Sequence, residues 1–173
     1  MAAALAGIRA FVTSIDIDFE TIVQARDRLT SRAAGSASRS RLVVADASRL
    51  PFPSDTFDAV FCFDSMHHMS GCSAAAEEME RVVKPGGRLV MADLNPKGLA
   101  AIRSLNAERG ESHQENACGL ENLSRILRSN GAHVDRHDYD FVSVFVKEKR
   151  KPTLPNTWTP LAADDRQNRR RSS

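Results

Sequence analysis

The sequence predicts a three-layer α/β fold built on a mostly parallel sheet. Short apolar runs at residues 11–17, 42–45, 57–63 and 88–92 alternate with helical patterns, which is the signature of β-α-β units. These runs are continuously apolar or only weakly alternating, as strands covered on both faces are. Two further runs, 133–139 and 141–147, follow each other without a helix and predict an antiparallel pair at the C-terminal end.

Each element has a local cause. Residues 11–17 are β-branched and apolar enough for a buried strand, and Asp18 suits the N-cap of the next helix, with Glu20 in its first turn. Ile22, Val23, Ala25 and Leu29 supply that helix with an apolar face. Residues 34–38 are a loop by composition, and 42–45 form the next strand. Pro51, Pro53, Ser54 and Asp55 mark a turn before the strand at 57–63. Residues 73–83 read as a helix with Arg81 and Lys84 near its C-terminal end, as the helix dipole favours. Gly86-Gly87 then stops it, so Lys84-Pro85-Gly86-Gly87 reads as a turn that sets up the strand at 88–92. Residues 96–109 form a helix or a lid. Leu120, Leu123, Ile126 and Leu127 define an amphipathic helix closed by Asn130-Gly131. The start, residues 1–7, lacks a basic n-region and reads as the end of a helix.

Composition narrows the function classes. A chain of 173 residues with 42% hydrophobic content is one ordinary globular core, and no apolar run is long enough to span a membrane. The net charge is +2, yet residues 147–173 carry eight Lys or Arg against three acidic residues, leaving −3 on the rest. The folded part therefore offers no nucleic-acid surface, and residues 149–173 read as a disordered basic tail. Cys62, Cys72 and Cys118 form no Cys-x-x-Cys pair and are odd in number. That pattern predicts inert thiols in a reducing cytoplasm, without disulfides or zinc.

In open α/β sheets ligands bind beyond the carboxyl ends of the strands. Asp16, Asp46 and the stretch Cys62-Phe63-Asp64-Ser65 lie at such ends. A strand-end carboxylate there can accept both hydroxyls of a ribose, although capping a turn is the commoner task of such an aspartate.

Several segments, in order, carry a family resemblance: Ile15-Asp16-Ile17, Ala45-Asp46-Ala47, Leu50-Pro51-Phe52, Phe57-Asp58-Ala59-Val60, Met66-His67-His68-Met69 and Val83-Lys84-Pro85-Gly86-Gly87. Residues 1–148 resemble a class I S-adenosylmethionine-dependent methyltransferase, close to the type 11 methyltransferase domain, with a Rossmann-like fold. The resemblance implies S-adenosyl-L-methionine as cofactor, held by Asp16, Ile17, Asp46, Ala47 and Phe63. Asp16 would take the ribose and Asp46, beside Ala47, the adenine amino group, with Ile17 and Phe63 against the purine ring. It implies a small-molecule acceptor, approached by the His67-His68 rim and residues 95–115. His67-His68 is a candidate general base and a poor metal pair, and no catalytic residue is assigned. His133 and His137 would share one face of a surface strand. Asp58 reads as structural.

The sequence departs from that family at its start. Members begin with a strand and a Gly-x-Gly-x-Gly loop, and neither is present here. Because the first strand of that fold lies between the second and the fourth, its loss predicts a sheet broken at that place, with ladder groups to be paired or solvated. Two explanations are open: an internal Met1 with the true start upstream, which the intact later motifs favour, or a degenerate paralogue. The latter would be a non-catalytic binding or scaffold protein that forms a homo-oligomer or takes a strand from a partner.

Overall fold

A computed structural model describes residues 10–32, 38–110, 118, 120–129 and 132–152. The expected helix end at residues 1–7, nearly all of the loop at 34–38, the Asn130-Gly131 stop and the tail beyond residue 152 lie outside the described residues.

The elements follow the predicted order. They are β1 (Val12–Asp16), α1 (Phe19–Arg32), β2 (Ser40–Val44), β3 (Phe57–Phe63), a 3-10 turn (Met66–His68), α2 (Cys72–Val82), β4 (Val83–Leu94), α3 (Pro96–Glu108), α4 (Leu120–Leu127), β5 (Val134–Asp138) and β6 (Val142–Glu148). Strands β1 and β2 pair in parallel as one sheet, and the other four form a second sheet in the order β3-β4-β6-β5. The β3-β4 pairing is parallel, whereas β4-β6 and β5-β6 are antiparallel. Among the described residues the predicted break is present: β1 and β3 are each hydrogen-bonded to a strand on one side only.

Asp18 caps α1 as expected, its Oδ2 accepting from the Thr21 amide at 2.9 Å. Helix α2 buries Ala75, Ala76, Met79 and Val82, the spacing of one helical face, against β3 and β4. Met91, Phe145 and Leu123 are fully buried in the same cluster. Each such side chain contributes roughly 1.5–3 kcal/mol by leaving water. The loop after β2 is fastened to α2 by one ion pair that reads backbone. Glu78 accepts from the Leu50 amide at 2.8 Å, and Arg81 donates to the carbonyls of Leu50 and Phe52 at 3.2 and 2.8 Å. Glu78 and Arg81 hold each other at 2.6 Å. This clamp ties the chain leaving the small sheet to the helix that covers the large one.

Helix α3 resolves the helix-or-lid alternative. Asn95 caps it by accepting from the Gly98 amide at 2.9 Å, and Pro96 stands at the first helical position, where its missing amide is not needed. The Asn95 amide group also donates to the Tyr139 carbonyl at 2.9 Å. Helix α3 thus abuts the β5-β6 hairpin so closely that a Cβ on Gly98 would lie 2.1 Å from the Phe141 carbonyl oxygen.

Two expectations are corrected. Strand β4 begins at Val83, so Lys84-Pro85-Gly86-Gly87 lies inside it and not in a turn before it. The Gly86 amide donates to the Lys149 carbonyl at 2.7 Å and the Lys149 amide to Gly87 at 2.9 Å. Tertiary pairing thus extends the strand through its glycines, and the register against β3 shifts between Phe57 and Ala59 to absorb the irregularity. Gly86 has φ +81°, which only glycine adopts freely. The second correction concerns the thiols. Cys72 and Cys118 are disulfide-bonded across a sequence separation of 46 residues, with Cα atoms 5.9 Å apart. No short-range spacing rule reaches that far. By chain entropy alone a link of that span is worth about 4 kcal/mol.

Candidate functional site

The carboxyl ends of β1, β2, β3 and β4 carry the polar groups. Asp16 ends β1 and is in register with Val44 of β2, and the Ala45 amide donates to the Asp16 carbonyl at 2.9 Å. Two carboxylates, Asp16 and Asp46, thereby emerge from the ends of adjacent parallel strands. Each engages one oxygen locally. Asp16 Oδ1 accepts from the Asp18 amide at 2.9 Å, and Asp46 Oδ1 from the Ser48 amide at 2.8 Å. The Ser48 hydrogen bonds hold the Asp46 carboxyl below the usual carboxylate range, so it is ionised near neutral pH. The capping role and the ligand-contact role are therefore compatible at both positions. Ile17 and Phe63 are 70% and 53% exposed, apolar surfaces standing at the same strand ends, whereas Ala47 packs partly against the core.

The chain leaves β3 through Asp64 at φ +52°, a left-handed conformation that aspartate tolerates better than most residues. Its amide still donates to the Ala92 carbonyl at 2.8 Å, so the bend is anchored to β4. The 3-10 turn that follows carries His67 inward. His67 Nδ1 lies 2.5 Å from Asp93 Oδ1, the His67 amide donates to Asp93 Oδ2 at 3.1 Å, and both residues are 4% exposed. Because an ionised carboxylate only accepts, the imidazole carries its proton on Nδ1 here. The Leu94 amide gives Asp93 Oδ1 a further donor at 2.7 Å. Asp64 Oδ1, half-exposed, lies 4.0 Å from the same ring nitrogen. The Asp93 charge also reaches Cys62: burial first, then that charge, pushes the Cys62 thiol up to about 12.

Asp64, His67 and Asp93 could offer a cation three atoms lying within 4.8 Å of one another. Two ligands at about 2.1 Å on a tetrahedral ion sit roughly 3.4 Å apart, well beyond the 2.5 Å contact between His67 and Asp93. The geometry is that of a hydrogen-bonded His-Asp pair. Asp93 escaped notice in the sequence because it sits within the apolar run of β4. Yet the strand-end rule that singles out Asp16 and Asp46 applies to it equally.

Elsewhere the polar residues are structural. Asp58 pairs with Lys84 at 2.8 Å, and His133, just before β5, and His137, on it, are exposed. A concavity of about 470 Å³, lined by Arg88, His133, His137 and Arg150 among others, lies where the middle of β4 meets the β5-β6 hairpin. It is remote from the strand ends described above and is not the cleft they would form. Among the described residues, no helix is long and apolar enough to cross a membrane.

Comparison with known proteins gives a consistent result. The family described as "Methyltransferase domain" matches residues 1–91. The methyltransferase GfsG of Streptomyces halstedii is 31% identical over 147 residues, covering 84% of this chain and 51% of that protein. A demethylmenaquinone methyltransferase of Mycobacterium tuberculosis is 43% identical over 107 residues, covering 62% of this chain and 42% of its own length. The chain thus spans about half, or less, of these relatives. Among solved structures, a putative methyltransferase from Bacillus halodurans superposes with a TM-score of 0.67 at 16% identity, covering 87% of each chain. That likeness shows the Rossmann-like α/β fold.

Proposed function

The chain belongs to the methyltransferase-domain family, and on that premise we propose that it binds S-adenosylmethionine at the carboxyl ends of β1–β3 and methylates a small-molecule acceptor. The observation that carries this reading is the pair of carboxylates, Asp16 and Asp46, at the ends of two adjacent parallel strands. Their chemistry fits the cofactor: acceptors for the ribose hydroxyls and the adenine amino group, with exposed Ile17 and Phe63 as apolar surfaces for the ring and Ala47 beside Asp46. The names of the relatives support a small-molecule acceptor.

When bound, the cofactor supplies a sulfonium methyl with a good leaving group, so the protein's task is alignment and exclusion of water. A hydroxyl acceptor must also lose a proton. With Nδ1–H held by Asp93, the basic nitrogen of the His67 ring is Nε2, which is buried and meets an acceptor only when the turn yields, and the Asp93 carboxylate stabilises the imidazolium that forms. A hydroxyl acceptor brought within reach of Nε2 would pass its proton there.

Calorimetric titration of the chain with S-adenosylhomocysteine tests the cofactor site. Micromolar binding that is weakened at least tenfold by Asp16→Ala and by Asp46→Ala is expected for lost charged hydrogen bonds. A folded chain that binds nothing would sink the reading. A second reading, a non-catalytic binding protein that takes a strand from a partner or from a second copy, is favoured by the one-sided pairing of β1 and β3 among the described residues. It predicts that null titration together with self-association.

A further inference from the structure

Cys72 opens α2 only four residues after the turn that carries His67, and Cys118 lies two residues ahead of α4. Both pack in one apolar cluster with Met66 and Met69, which flank the two histidines. Neither the 3-10 turn nor α2 has a side-chain cap, so hydrogen bonding by a capping residue does not fix this stretch. Asp93 holds the His67 turn by hydrogen bonds, and the covalent link between Cys72 and Cys118 holds the start of α2 that follows it.

We propose that the Cys72–Cys118 disulfide is reversible and acts as a redox clamp on the His67 turn, so that the surrounding thiol balance sets the geometry of the His67–Asp93 pair. This regulation rests on the reading of His67 as the proton acceptor. The three thiols divide by chemistry. Cys62 is buried, and its thiol, pushed up to about 12, yields almost no thiolate at neutral pH. Cys72 is half-buried at the first turn of a helix, where the dipole favours the thiolate. Cys118 is 2% exposed and can only follow. Cys72 thiolate attacks a low-molecular-weight disulfide such as glutathione disulfide and releases one glutathione thiolate. Cys118 thiolate then attacks the Cys72 sulfur of the mixed disulfide and releases the second. Two protein thiols are oxidised, one glutathione disulfide becomes two thiols, and the two protons pass to the released thiolates.

The test equilibrates the chain in glutathione buffers from fully reduced to fully oxidised. Thiols are counted by alkylation and mass, and the His67 Nδ1–H proton is followed by NMR. Oxidation is expected to protect Cys72 and Cys118 while Cys62 stays alkylatable on unfolding. Cys72→Ser and Cys118→Ser should each abolish that protection. The low-field Nδ1–H signal should be sharp when oxidised and broadened or lost when reduced. Amide exchange at Met69 should rise roughly tenfold or more in the reduced chain, as a turn that opens locally does. Three alkylatable thiols in excess glutathione disulfide would overturn the proposal. So would an unchanged His67 signal in two forms that both retain their far-ultraviolet circular dichroism. Neither readout uses methyl transfer. A chain that shows the clamp yet binds no S-adenosylhomocysteine would keep the coupling and overturn the methyl-transfer reading.

Discussion

Asp93 grips His67 twice, taking the backbone amide on one carboxylate oxygen and the Nδ1 proton on the other, at 3.1 and 2.5 Å. The first contact fixes where the turn lies and the second fixes which ring nitrogen keeps its lone pair. Replacing Asp93 by Asn retains the shape but removes the charge that orients and stabilises the imidazolium. Asp93→Asn should lower kcat for a hydroxyl acceptor by roughly 10²–10⁴, the range for loss of an oriented general base. The affinity for S-adenosylhomocysteine should stay unchanged. Equal losses in both would show that Asp93 supports only the fold.

The Glu78–Arg81 clamp makes a pH prediction. The Arg81 hydrogen bond, opposed by burial and helped by the Leu50 amide, lowers the Glu78 carboxyl from its ordinary value of 4.5. A depressed carboxylate contributes stability that is fully present above the unfolded value and is lost as pH falls through the folded one. The melting temperature should therefore begin to drop below about pH 4.5. Several other carboxylates, including Asp46 and Asp58, are lowered too, so the wild-type slope alone is not specific. The informative quantity is the difference between wild type and Glu78→Gln, which should shrink toward zero as the pH falls. A constant difference from pH 7 to pH 3 would show that the clamp is not electrostatic.

The sequence made the separate elements legible where a local pattern decides them. The apolar spacing of Leu120, Leu123, Ile126 and Leu127 marked α4, and the apolar run at residues 57–63 marked β3 with its observed bounds. Local reasoning failed at Gly86-Gly87, where pairing with Lys149 overrides a turn-forming dipeptide. It failed again at Cys72 and Cys118, brought together by the packing of two helices and not by spacing. The site was half legible for the same reason. Asp16 and Asp46 announce themselves at strand ends, but Asp93 gains its partner only because the chain bends at Asp64 and returns beneath β4.

Gly98 shows how tightly α3 is docked. In an isolated helix, glycine to alanine gains about 1 kcal/mol. Here the added Cβ would meet the backbone oxygen of Phe141, which has no rotamer to yield. Overpacking of this kind costs about 1–3 kcal/mol, so the clash should outweigh the propensity gain. Gly98→Ala should lower the urea midpoint without changing its slope. A raised midpoint would mean that the hairpin shifts freely away from the helix.

The open edges of β1 and β3 make the last prediction. The Asp64 amide bonds to Ala92 on β4, and groups on one strand alternate in direction, so Cys62 also points toward β4. Phe61 and Phe63 must then direct their amides away from it, toward the edge that pairs with nothing among the described residues. On β1, Val12 and Asp16 bond toward β2, which leaves Thr13 and Ile15 facing the other way. In a monomer, hydrogen exchange at Phe61 and Phe63 should exceed that at Cys62 by roughly 10² or more, since only Cys62 lies in a ladder. Protection of all three amides would require a strand paired along β3. If that protection weakens on dilution, a second copy of the chain supplies the strand, and the non-catalytic reading gains the partner it needs. If it is independent of concentration, the strand comes from the chain's own residues outside those described.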